Sequence, residues 1–298
     1  MLFFLNGVNI MSLFGIGLEV RRYWDRWTDT LETLTSGLDK DTQLFLRNKN
    51  KERPGLGAVG YGAELFARLF NIGIDEKAAL ANSAIVFMCG CIDDVIDQTP
   101  IKNQEAEEQL NNAYNFLVSG EGFDNLQIFR RYLESVIPKN QLEQVLQTLH
   151  AYKEAAIEEL HASTYRGIHD ARVRIGSTHS DVVGTLIGIF GERELSESER
   201  TVLKHYSIGG TLLDSAADYY QDRHYGEETL IDYTMREKGQ NRREALAHAF
   251  AEACENFAFA SSFLNEGQQE LYKDITSIAK IFYCMTFLRK GLKYGILH

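Results

Sequence analysis

Two groups of aspartates dominate the chemistry open to this 298-residue chain. The first closes the run Ala84-Ile-Val-Phe-Met-Cys-Gly-Cys-Ile-Asp93-Asp94-Val-Ile-Asp97, where apolar and small residues lead straight into three carboxylates. On a helix Asp93 and Asp97 lie one turn and about 40° apart, and Asp94 points about 100° from Asp93. Like charges at that spacing repel, and acids at a helix C-terminus oppose the macrodipole. A divalent cation removes both penalties, and Mg²⁺ suits because it takes carboxylate oxygens and keeps several waters. The second group is Asp214, Asp218 and Asp222, stepping by four inside Gly209-Gly-Thr-Leu-Leu-Asp214-Ser-Ala-Ala-Asp218-Tyr-Tyr-Gln-Asp222-Arg-His-Tyr225-Gly226. These three form one stripe roughly 12 Å long, continuing an apolar segment that must be buried. Acids on such a face are costly unless paired or metal-bound. One aspartate pair at helical spacing is most often a solvated surface. Two stripes, each growing out of an apolar helix, fit that reading poorly.

The elements that carry them are helices. The chain has only three prolines, at 54, 100 and 138, and segments of helical rather than alternating periodicity fill most of it. Helices are expected at 19–35, 62–71, 75–97, 104–119, 124–136, 139–169, 178–191, 196–225, 241–265 and 268–295, with a loop from Asn48 to Gly62. The expected fold class is all-α, a single-domain bundle of about ten helices around a central cavity. An apolar N-terminal segment, residues 1–20, precedes one domain over 21–298. That segment has no basic residue before it and is interrupted by Asn6, Gly7 and Asn9, so it reads as neither a signal peptide nor a membrane span. Arg21, Arg22, Trp24 and Trp27 behind it leave room for a peripheral membrane contact.

Composition sets further limits. The chain is 44% hydrophobic and 24% charged, so it is neither disordered nor fibrous. A net charge of −11 with no basic patch argues against a nucleic-acid partner. Cys89, Cys91, Cys254 and Cys284 fit buried free thiols in a reducing compartment, so a cytoplasmic location is expected, with membrane association left to the N-terminal segment. The oligomeric state stays open, a homodimer included.

Asp93-Asp-Val-Ile-Asp97 resembles the aspartate-rich motif of class I isoprenoid (terpene) synthases. Asp218-Tyr-Tyr-Gln-Asp222-Arg resembles the second acidic motif of the squalene and phytoene synthase branch. The longer string Leu212–Gly226 is similar to that of bacterial synthases of the tetraprenyl-β-curcumene type. The motifs cover about 35 residues. The resemblance implies a helical bundle and a Mg²⁺ cofactor, three ions with bound diphosphate. It implies a prenyl diphosphate substrate and metal ligation by Asp93, Asp94, Asp97, Asp214, Asp218 and Asp222, with Asp93, Asp97, Asp218 and Asp222 catalytic. The departures are plain. The Asn/Asp-x-x-Ser/Thr-x-x-x-Glu pattern is not met, only one DDxxD motif is present, and the C-terminal Arg-Tyr pair is replaced by Arg289, Lys290, Lys293 and Tyr294.

Residues Tyr165–Thr178 combine cations with Gly176-Ser177, where a helix break is expected, as in related cyclases. A break would expose backbone N–H groups to an anion. The resemblance makes Arg174, nearest that break, and Arg223, beside the stripe, the diphosphate-binding residues. Phe66, Phe70, Phe87 and Tyr206 could wall a dry cavity, though such residues are more often plain core. The implied activity is that of a carbon–oxygen lyase ionising a linear prenyl diphosphate to a terpene hydrocarbon or alcohol. The alternatives are head-to-head condensation of two prenyl diphosphates, as in a transferase of the squalene or phytoene type, and an inactive helical scaffold or lipid-binding protein.

Overall fold

The computed structural model describes residues 10–52, 60–97, 105, 107–109, 111–112, 115 and 127–295, with the side chains of 10–14, 16, 17, 91–97 and 295 left out. The described residues are helical almost throughout and contain no strand. They divide into two compact units, one built from Phe14–Lys153 and Val182–Leu195, the other chiefly from Glu154–Asp181 and Ser196–His298.

The first unit carries α1 (Ile10–Thr35), α2 (Lys40–Glu52), α3 (Gly60–Leu69), α4 (Glu76–Asp97), α5 (Gln127–Val136) and most of α6 (Lys139–Leu160). Its core forms where Tyr23, Trp27 and Leu31, each one turn on from the last, meet the buried face of α4. The Phe87 ring packs 5.7 Å from Trp27 and 5.5 Å from Phe129. Two buried polar pairs tie this core together: the Tyr23 and Ser83 hydroxyls lie 2.6 Å apart, and Trp27 Nε1 donates to Asn50 Oδ1 at 3.1 Å. Phe66, Phe70 and Phe87 are ordinary core residues. Helix α2 occupies part of the stretch expected as a loop. Asp39 Oδ1 accepts from the Thr42 and Asp41 N–H groups at its start, and Leu46 and Asn50 are buried, so packing overrides the polar composition. The expected helix at 104–119 lies largely outside the described residues, as do residues 1–9.

The second unit carries α7 (Tyr165–Phe190, which runs on into the first), α8 (Glu197–Tyr225), α9 (Leu230–Lys238), α10 (Arg242–Ser261) and α11 (Glu266–Lys290), followed by a π-helical turn, Gly291–Gly295. Four starts carry capping boxes, on Ser196, Thr229, Asn241 and Asn265. Ile208, Leu212 and Leu213 of α8 pack with Leu230, Tyr233, Ala253 and Phe257 in the core. Helix α9 was not expected, although its Thr229-x-x-Asp232 box is visible in the sequence. The expected break at Gly176-Ser177 is corrected: α7 is continuous there. The chain breaks earlier, over 161–164. Gly176 serves close packing instead, since a Cβ there would sit 2.7 Å from the Ile208 Cα. Cys89, Cys254 and Cys284 are free thiols. No described helix is long and apolar enough to cross a membrane.

The packing yields a paired prediction. Gly176→Ala should destabilise by about 1–3 kcal/mol in denaturant unfolding despite Ala's better helix propensity, because the obstacle is backbone. Gly62→Ala, in α3 with open space around it, should stabilise by up to ~1 kcal/mol. Equal signs for the two would contradict the close approach at Gly176.

Candidate acidic site on helix α8

Helix α8 starts firmly at Ser196 and ends where Gly226 turns left-handed at φ 86°. Between those ends Leu212, Leu213, Ala216 and Ala217 are fully buried, which holds Asp214, Asp218 and Asp222 half-buried beside them. Asp218 and Asp222 interact directly. Burial and then the Asp218 charge push the Asp222 carboxyl up to about 8, even though Arg172 and Lys290 pull it down. Lys290 forms an ion pair with Asp218, their side chains 14% and 28% exposed. Burial drives the Tyr283 phenol well above its usual range, and the charges of Asp214 and Asp218 and the neighbouring Tyr206 add to the rise. Tyr206 is pushed up to about 12 by burial, and its ring lies 5.5 Å from Phe257. Burial likewise lowers His179 to about 4, so its imidazole is neutral at neutral pH.

Two other helices aim cations at this pair. On α7, Arg172, Gly176 and His179 share one face, and Gly176 presses that face onto α8. Arg172 therefore lies toward Asp222, while also pairing with Glu159. Arg174, about 200° further round the helix, pairs with Glu158 and is exposed. On α11, Tyr283, Phe287 and Lys290 share the face toward α8, where Phe287 packs 5.3 Å from Tyr220. Gly291 lets the chain pass the Tyr220 ring, 3.2 Å from where a Cβ would stand. Arg223 is engaged elsewhere: its Nη1 donates to Asp232 Oδ1 at 3.0 Å, tying α8 to the capping box of α9.

The structure thus brings Asp218 and Asp222 together with Lys290 and Arg172, and sets Arg174 and Arg223 on other partners. Asp93, Asp94 and Asp97 lie on the last turns of α4, and their side chains are outside the described ones. Arg172 went unassigned in the sequence, and Lys290 entered only as one of four residues offering the chemistry of the missing Arg-Tyr pair. The shared face of Arg172 and Gly176 was the available signal, hidden by the supposed helix break.

Among the described residues no group of three His, Cys, Asp or Glu could hold an ion by itself. The two-carboxylate pair nevertheless suits Mg²⁺, which is commonly held by one or two carboxylates and completed by water and substrate phosphate. Burial and then the Asp218 charge raise the Asp222 carboxyl, and Arg172 and Lys290 offset that rise only in part.

No family model and no curated protein matches the chain by sequence. Solved structures match by fold. Linalool/nerolidol synthase from Streptomyces clavuligerus, in complex with 2-fluorogeranyl diphosphate, superposes with a TM-score of 0.57 at 13% identity, covering 91% of this chain and 98% of that one. The same synthase without the ligand gives a TM-score of 0.52 at 12% identity, with 84% and 96% covered. The SVS_A2 protein from ancestral sequence reconstruction gives 0.53 at 14% identity, with 91% and 86% covered. The chain therefore shares the all-α fold of these solved structures.

The Asp222 shift carries a pH dependence for the metal-free protein. A carboxyl raised in the folded state holds its proton there after the unfolded chain has lost its own. Its contribution to stability therefore falls as pH rises from about 4 to about 8. Asp222→Asn should gain thermal stability over wild type between about pH 5 and about pH 8.5, measured with chelator present. A difference that stays constant across that range would contradict the shift.

Proposed function

We propose that this chain is a Mg²⁺-dependent class I terpene synthase. It ionises a linear prenyl diphosphate, releases diphosphate, and forms a terpene hydrocarbon or alcohol. The observation that supports this reading is the half-buried Asp218–Asp222 pair with Lys290 and Arg172 beside it, on the fold shared with linalool/nerolidol synthase. In this proposal Asp218 and Asp222 are metal ligands, with Asp214 one turn further in, and Asp93, Asp94 and Asp97 supply further carboxylates. When bound, Mg²⁺ neutralises charge growing on the diphosphate leaving group.

The chain's own residues account for the remaining steps. Arg172 donates charge-assisted hydrogen bonds to diphosphate oxygens, and Lys290 adds a point charge next to Asp218. The allylic carbon–oxygen bond breaks heterolytically, and its electron pair leaves with the diphosphate. The rings of Tyr206, Tyr283 and Phe257 keep water away and offer π-faces to the carbocation. The cation ends by losing a proton or by capturing water, giving one product molecule per substrate molecule.

The test is incubation with geranyl, farnesyl, geranylgeranyl and longer all-trans diphosphates, with Mg²⁺ or with EDTA, and products read by mass spectrometry. A metal-dependent product with the carbon count of one substrate is expected. A doubled carbon count, or no turnover of any diphosphate, would contradict the proposal. Asp218→Asn and Asp93→Asn should each lower turnover by more than about 100-fold. Arg172→Met should weaken inhibition by inorganic diphosphate by about tenfold, with Arg174→Met close to wild type. The reverse order would restore Arg174 to the site.

A further inference from the structure

Helix α11 has a second face. Opposite Tyr283, Phe287 and Lys290 runs an apolar stripe of Ile278, Ile281, Phe282, Met285 and Leu288, alternating steps of three and four apart from Phe282, with Leu292 following in the π-helical turn. Met285 and Leu292 are 65% and 66% exposed, and Phe282 and Leu288 are exposed as well. A contiguous apolar row of that kind on a surface helix marks an interaction site.

Its pattern is self-complementary. Toward the helix N-terminus the stripe carries Asp274, and toward the C-terminus it is flanked by Arg289. Asp274 and Arg289 are equidistant from a point between Ile281 and Phe282. The pair Ile278–Met285 shares that midpoint. A two-fold axis through it, with two α11 helices antiparallel, sets Asp274 of each copy against Arg289 of the other. It also stacks Ile278 on Met285. A parallel arrangement would instead set like charges together. A net charge of −11 disfavours an anionic lipid surface as the occupant.

We infer that this face of α11 is an isologous interface by which the chain pairs with a second copy of itself, antiparallel about the Ile281–Phe282 midpoint. The interface is independent of the chemistry at Asp218, because it uses the other side of the helix.

Sedimentation equilibrium of the full chain over a dilution series tests it, with thermal melting as the fold control. A wild-type dimer is expected. Met285→Glu, on an exposed position that leaves the core untouched, should weaken it by more than about tenfold. Asp274→Arg and Arg289→Asp should each weaken the dimer, and the double exchange should restore it, since the pairs are then reversed at both ends. Four results would overturn the inference. These are a monomer at every concentration, a dimer indifferent to Met285→Glu, no restoration by the double exchange, and capture of the monomer by phosphatidylcholine–phosphatidylglycerol vesicles that Met285→Glu abolishes.

Discussion

Two carboxylates one helical turn apart on a half-buried face cannot both stay ionised without cations nearby, and the unit around α8 is organised by that constraint. The helix must be long and firmly capped to carry Asp218 and Asp222 past a core of Leu and Ala side chains. The neighbouring helices must then bring positive charge inward. Arg172 and Lys290 do so from α7 and α11. Their charge is insufficient, because burial still lifts Asp222 far above the ordinary carboxylate range. A pair left short of positive charge is a poor structural ion pair and a suitable seat for a divalent cation with a polyanion.

Close approaches make this geometry available. Gly176 removes the Cβ that would keep α7 from the α8 backbone, and Gly291 lets the end of α11 slide past Tyr220. Tyr206 and Tyr283, partly buried with phenols that stay protonated, line the same region with neutral aromatic surface. In the proposed reaction, charge at one end and aromatic faces behind it would separate an anion from a carbocation.

Much of this was legible in the sequence where local rules suffice. The bounds of α4 and α8 followed from apolar periodicity, because that signal is local. Helix α2 was missed because Asn48 and the lysines read as a loop, whereas the buried Asn50–Trp27 hydrogen bond belongs to tertiary structure. Gly176 was read as a break because glycine in a polar stretch usually is one. Its real reason, the backbone of Ile208, lies about 30 residues further along the chain. The acid stripe could be read from its spacing of four. Its cations could not, because Arg172 and Lys290 arrive from separate helices and only packing decides which of several basic residues points inward. Arg174 and Arg223 have equal claim by composition but are committed to Glu158 and Asp232.

The central claim is that Asp218 and Asp222 form a cation seat completed by diphosphate. Mn²⁺ binding followed by electron paramagnetic resonance, with and without inorganic diphosphate, addresses it without any need to know the substrate. Tighter Mn²⁺ binding in the presence of diphosphate is predicted, weakened by more than about tenfold in both Asp218→Asn and Asp222→Asn. Mn²⁺ affinity that neither diphosphate nor these substitutions change would contradict the account.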